Sequence, residues 1–176
     1  MKKAILFPSR LNSGNNFDLY PRVVEHIRNT REGRKMSQGG FGIMGEVHEV
    51  PLPEWMKDLP ASVLEMQPQY RNYRFKLPDQ NHSRSLVFGK GSVPPHTDLM
   101  TGLTMLTFLG GYVPEEAEGT GPMSGFAQEG HLFTSGGFTS LERGQTVVFD
   151  DREIHSWMHN ACWIFMCVPV KEFHIQ

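Results

Sequence analysis

The stretch VPPHTDLMTGLTMLTFLGG, Val93–Gly111, decides how this chain is read. Two prolines precede a histidine and an aspartate one residue apart, and an apolar run follows them. In an extended segment, side chains i and i+2 point to the same face. His96 and Asp98 therefore project together, with Thr97 turned away. LTMLTFLGG is rich in aliphatic, aromatic and β-branched side chains and reads as a buried strand. An imidazole and a carboxylate fixed at the mouth of a strand offer two adjacent ligands to a divalent metal.

The same texture extends in both directions. YRNYRFKLP and SRSLVFGKG read as strands before it. After it, HLFTSGGFTSL carries a hairpin signal around Gly136 and Gly137, and QTVVFDD reads as a strand ending at an Asp-Asp turn. EIHSWMH and CWIFMCVPV read as two further strands joined by Asn160 and Ala161. Short strands punctuated by Gly, Pro and Asp, without βαβ alternation, point to a sandwich, barrel or jelly roll.

Towards the N-terminus the pattern changes. FDLYPRVVEHIRN predicts a helix with Asp18 as N-cap and Leu19, Val23 and Ile27 on one face. LPEWMKDLPASVLEM predicts one or two short helical turns broken by Pro60, and a strand is expected around Ile43–Val50. The expected organisation is a single domain, residues 1–176. Residues 1–69 form a helical and irregular extension packed on the outside, and residues 70–170 form the β core. The stretch Gly111–Gly130, rich in Gly, Glu and Pro, is long for a loop in a compact domain and is expected to act as a lid or substrate-selecting element.

Composition narrows the function classes. The 176 residues suit one domain with a real core, and 17 basic against 19 acidic residues leave a formal charge of −2. No Lys/Arg run exists, so strong electrostatic binding of duplex nucleic acid is not expected. MKKAILFPSR is too short in apolar residues for a secretory leader, and no apolar run approaches the ~20 residues of a membrane span. Cys162 and Cys167 lie on opposite faces of one predicted strand and should not pair. A cytoplasmic protein is expected.

Two ligands do not make a site, and the best third is His155, in VVFDDREIHSWMH, 59 residues after His96. Two histidines and one carboxylate on one face suit non-haem Fe(II) and leave coordination positions open. A zinc site would more often close with a fourth protein ligand or use cysteine.

PPHTDLMTGLTMLTFLGG followed by LERGQTVVFDDREIHSWMH resembles the 2-oxoglutarate/Fe(II)-dependent dioxygenase superfamily. Its members carry His-x-Asp at the start of a core strand, an apolar strand directly after it, and a second apolar strand leading to a distal His. The resemblance covers roughly residues 84–170, about half the chain. It implies a mostly β, cupin-like jelly roll, the double-stranded β-helix, with a metal at one open end. By the same resemblance His96, Asp98 and His155 are the iron ligands, and Fe(II) and 2-oxoglutarate are the cofactors. The partners would be that small-molecule cosubstrate, dioxygen and an unidentified primary substrate that is hydroxylated.

One feature of that superfamily is missing. Its members usually place Arg or Lys on the strand after the distal His, to pair with the far carboxylate of 2-oxoglutarate. CWIFMCVPV has no cation before Lys171, which sits at the strand's end and could serve, because some members use a later cation on this strand. No Lys or Arg occurs from Thr97 through Glu142. That leaves Arg71, Arg74, Lys76, Arg84, Lys90, Arg143 and Arg152, of which Arg74 and Arg84 are the candidate anchors. Thr104 and Thr107 offer hydroxyls that could touch a cosubstrate, although β-propensity explains them equally well. His159 is expected at the surface, Trp157 in the core or at the rim, and His131 in a loop. Three alternatives stay open: a cupin-like metal enzyme that does not use 2-oxoglutarate, a non-catalytic jelly-roll binding module, and a zinc hydrolase.

Overall fold

A computed structural model describes residues 3–7, 10–11, 19–38, 46–67, 73–78, 84–98, 102–112 and 129–174. Asp18, Tyr70, Arg71, Asn72, His82 and the stretch 113–128, which holds most of the expected lid, lie outside the described residues. The strands are β1 (Ile5–Leu6), β2 (Val47–Pro51), β3 (Tyr73–Lys76), β4 (Ser85–Lys90), β5 (Val93–His96) and β6 (Leu103–Tyr112), followed by β7 (Glu129–Thr134), β8 (Gly137–Glu142), β9 (Thr146–Asp150), β10 (His155–Met158), β11 (Cys162–Pro169) and β12 (Lys171–His174).

Two sheets hold the molecule's centre. A six-stranded sheet has the order β1-β9-β6-β11-β4-β2, and a four-stranded sheet has the order β5-β10-β7-β8. From β4 to β11 the chain passes repeatedly between these sheets, and only the β7–β8 hairpin stays within one. Among the described residues every pairing is antiparallel. That winding is a jelly roll in its double-stranded β-helix order. The first third of the chain adds β1 to one edge of the larger sheet and β2 to the other. β3 joins neither sheet and pairs with β12 instead.

The six-stranded sheet is buried on both faces. One face meets the smaller sheet through Phe108, Val147, Phe149, Trp163 and Phe165, which pack against Val93, Leu132, Leu141 and Trp157. The other face carries Leu86, Phe88, Met105, Ile164, Met166 and Val168 in a second cluster. Helix α1 (Leu19–Arg28) buries Tyr20, Val23, Val24 and Ile27 in that second cluster, on the spacing the sequence shows. Helix α2 (Arg31–Gln38) follows α1 after Asn29 and Thr30 and was not expected from the sequence. Helix α3 (Leu59–Leu64) corrects one expectation: Pro60 sits in its first turn and opens the helix rather than breaking it. A first-turn residue has no intrahelical acceptor for its N–H, so proline costs nothing there. Among the described residues no helix is long and apolar enough to cross a membrane.

Candidate metal centre

β5 is the edge strand of the smaller sheet, where prolines are tolerated because one row of N–H groups needs no partner. Pro94 and Pro95 deliver His96 to a position directly opposite His155 on β10. Asp98 follows two residues later, and its backbone N–H donates to Asp151 O at 2.9 Å. The Asp151 N–H in turn donates to Gly102 O at 3.0 Å. These bonds stitch the His-x-Asp segment to the turn that leads into His155. Asp150 closes the same turn, its Oδ1 accepting from the Arg152 backbone N–H at 3.1 Å and Nε at 3.0 Å, its Oδ2 from a terminal guanidinium nitrogen at 2.8 Å. The Arg152 side chain holds the Asp150 carboxyl below its ordinary range, against the opposing effect of burial.

The imidazole orientations follow from main-chain acceptors. His96 Nδ1 lies 2.8 Å from Pro94 O, and His155 Nδ1 lies 2.8 Å from Glu153 O. A carbonyl oxygen only accepts, so each Nδ1 carries a proton, and in the neutral ring the lone pair is then on Nε2. Both Nε2 atoms face the aspartate: His155 Nε2 is 3.3 Å from Asp98 Oδ2, and His96 Nε2 is 3.7 Å from Asp98 Oδ1. The two rings are 4.3 Å apart between centroids, and one ligand atom from each of the three residues lies within 4.8 Å of the others. A metal with bonds near 2.1 Å holds adjacent ligands roughly 3 Å apart, so a small contraction would let these three grip one ion. The group is graded in exposure. The His155 side chain is 8 % exposed and edged by the Phe149 ring at 5.0 Å, whereas His96 at 38 % and Asp98 at 46 % stand open to solvent. The arrangement could hold a divalent cation by one side while leaving the other side open.

Of the remaining candidates, Thr104 lies on the wall beside His155, opposite Phe149, whereas Thr107 and Arg74 are not brought to this centre. Thr107 shares the face of β6 that carries Met105 into the second cluster, and its hydroxyl pairs with Thr146 Oγ1 at 2.8 Å. Strand alternation therefore turns it away from the triad. Arg84 precedes β4, where its carbonyl accepts the Leu52 N–H at 3.0 Å. Arg74 belongs to the separate β3–β12 sheet, its guanidinium 5.7 Å from the centre of the Phe173 ring. His131, expected in a loop, lies on β7 with Nδ1 3.1 Å from Ser140 Oγ. His159, expected at the surface, is buried, its ring stacked on Trp157 and edged against Phe108. Trp157 is a core residue, 5 % exposed and surrounded by Phe108, Trp163 and Phe165.

Reading single residues named Thr104 but missed Phe149 and Cys167, which stand with it beside the triad on the larger sheet. Phe149, which touches His155, lies opposite Thr104, and Thr104 Oγ1 is 3.4 Å from Cys167 Sγ. Cys167 lies between Ser85 on β4 and Leu106 on β6. The alternation of LTMLTF against VVF, once their partners are known, is the signal that places these residues on one wall.

No family model matches the chain, and no curated protein is similar to it. Solved structures are similar at low identity. A cupin superfamily protein from Desulfitobacterium hafniense is 12% identical over 76% of this chain and 82% of its own, with a TM-score of 0.36. The Cupin_2 domain of an XRE family transcriptional regulator from Enterobacter cloacae is 13% identical over 74% of this chain and 97% of its own, with a TM-score of 0.37. A salicylate 1,2-dioxygenase from Pseudaminobacter salicylatoxidans is 9% identical over 87% of this chain and 37% of its own, with a TM-score of 0.41. The strand order described above, not these likenesses, carries the fold.

Proposed function

We propose that this chain is a non-haem Fe(II) oxygenase with His96, Asp98 and His155 as the iron ligands. The observation that carries this reading is the convergence of two Nε2 lone pairs and one carboxylate at the rim of the β-helix. Two neutral imidazoles and one carboxylate leave a divalent iron one net positive charge and a free face. When bound, the iron supplies dioxygen activation; the protein supplies everything around it. His155 is the buried, rigid ligand, backed by Phe149, and His96 and Asp98 are the accessible ones. The Asp98–Asp151–Gly102 backbone bonds fix the spacing of the ligands. The aromatic floor of Phe108, Trp157 and Phe165 keeps water from approaching through the barrel.

The resemblance to 2-oxoglutarate-dependent enzymes makes 2-oxoglutarate the first cosubstrate to test. A second reading, an iron oxygenase whose organic ligand is not 2-oxoglutarate, is favoured by the lack of a cation on the wall beside His155 among the described residues. The test is anaerobic addition of Fe(II) to the purified protein, followed by 2-oxoglutarate, with the visible charge-transfer band of an iron-chelated keto acid as the readout. Stoichiometric iron binding that His96→Ala and Asp98→Ala abolish is the expected result. Failure to bind iron, with the fold intact by circular dichroism, refutes the reading.

A further inference from the structure

The eight strands of the β-helix hold one Lys or Arg among the described residues, and that residue is Lys90. Lys90 lies opposite Cys162, at the end of β11 farthest from Pro169, while the metal end of the sheet is marked by Thr104, Phe149 and Pro169. The wall nearest the triad is neutral: Ser85, Val87, Thr104, Leu106, Phe149 and Cys167. The sequence itself has no Lys or Arg between Thr97 and Glu142. Of the described cations outside these strands, Arg84 falls by strand alternation on the opposite face, in line with Leu86 and Phe88. Arg152 pairs with Asp150, Arg74 stands over Phe173, and Lys171 is exposed on β12.

A dicarboxylate keto acid does not fit this wall. Its chelating end would meet the metal, but for its far carboxylate this wall offers only the hydroxyls of Ser85 and Thr104, the Cys167 thiol and hydrocarbon. Burying an unpaired carboxylate is strongly disfavoured. A monoanionic chelator suits the site better on charge alone, since one further negative charge neutralises a divalent ion already bound to Asp98.

The geometry points to a specificity wall, Ser85, Thr104, Leu106 and Cys167, that selects a bidentate oxygen chelator with a single carboxylate and an uncharged remainder, and that discriminates against 2-oxoglutarate. This inference rests on the iron-oxygenase reading and extends it to the ligand class. Burial pushes the Cys167 thiol up to about 11, the Thr104 contact opposing and Glu49, Asp151 and Asp98 adding to the rise. The thiol is therefore uncharged at neutral pH, and the wall presents hydroxyl, thiol and hydrocarbon only.

A matched pair of ligands tests it. 2-Oxopentanoate and 2-oxoglutarate share the chelating end and the five-carbon chain and differ only in a methyl against a carboxylate at the far carbon. Each is titrated anaerobically into the Fe(II)-loaded wild-type protein, and the charge-transfer band gives the apparent Kd. The expected result is binding of 2-oxopentanoate ~100-fold tighter or more, the scale of one buried, unpaired charge. Cys167→Lys, which supplies a flexible cation on the same wall, is expected to narrow or reverse that preference. Equal or tighter binding of 2-oxoglutarate by the wild type overturns the inference, whether or not the variant folds. Iron binding with no band from either acid also overturns it while leaving the iron site standing. Failure to bind iron at all removes both the inference and the reading beneath it.

Discussion

Replacing Gly130 with alanine tests the packing beneath the triad. Gly130 is buried on β7, and a Cβ built there falls onto the six-membered ring of Trp157. The indole cannot simply step aside. It sits 4.7 Å from Phe165 and 5.3 Å from Phe108 between ring centroids, and His159 stacks on it at 5.9 Å. Overpacking a well-filled core costs roughly 1–3 kcal/mol, and each disturbed aromatic pair adds ~0.5–1.5 kcal/mol. The lower chain entropy of alanine offsets ~0.5–1 kcal/mol of that. The expected net loss is about 2 kcal/mol, read as a shift of ~1 M in the urea midpoint at a slope near 2 kcal/mol/M. Trp157→Phe in the same background should recover part of the loss, giving a coupling of ~1 kcal/mol or more in a double-mutant cycle. Because Trp157 lies two residues from His155 on the same strand face, iron affinity should fall with stability. A Gly130→Ala protein within ~0.5 kcal/mol of wild type, with unchanged iron affinity, would refute this account of the barrel floor.

Other outcomes follow from the same geometry. Asp98→Asn should leave stability nearly unchanged, because the side chain is half exposed, yet weaken Fe(II) binding ~100-fold or more by isothermal titration, since a neutral amide is a poor ligand for a hard cation. Saturating the wild type with Fe(II) at ~100 times its Kd should raise stability by about 2.7 kcal/mol, and Asp98→Asn should lose that gain. Thr107→Val should cost ~1–2 kcal/mol by stranding the Thr146 hydroxyl, and Thr107→Val with Thr146→Val should recover much of it, with ligand affinity untouched in both. Asp150→Asn should lower stability at neutral pH. The native carboxyl is held below its unfolded range, chiefly by the Arg152 side chain, so its contribution is full above the ordinary carboxylate range and fades as pH falls through the native value. Wild type and variant should therefore converge in acid denaturation.

The pairing of His96 with Asp98 was legible because it depends on a local rule, alternation along an extended segment. His155, which meets them only across the β5–β10 ladder, was named from the turn before it and from the family resemblance. The faces of the larger sheet were not legible. β6 and β11 are buried on both sides, so LTMLTF and CWIFMCV show no polar–apolar period to tell one face from the other. Thr107 was a candidate for that reason, and only the pairing partners separate it from Thr104. The short β1 and the burial of His159 were equally invisible, since each depends on contacts between residues far apart in the chain. Arg84 was a candidate anchor, but nothing local says that the face carrying Leu86 and Phe88, with which it alternates in phase, looks away from the triad.

The acceptors that orient His96 and His155 belong to the main chain, and this bears on how such a centre can drift. A carboxylate or amide in that role could be lost through a single codon change, tipping the ring to its other tautomer. The carbonyls of Pro94 and Glu153 survive every substitution at their own positions. Ring orientation is thus heritable with the strand path itself. Variation can move freely over the neighbouring side chains, retuning what approaches the centre, while the two lone pairs stay aimed at the same point.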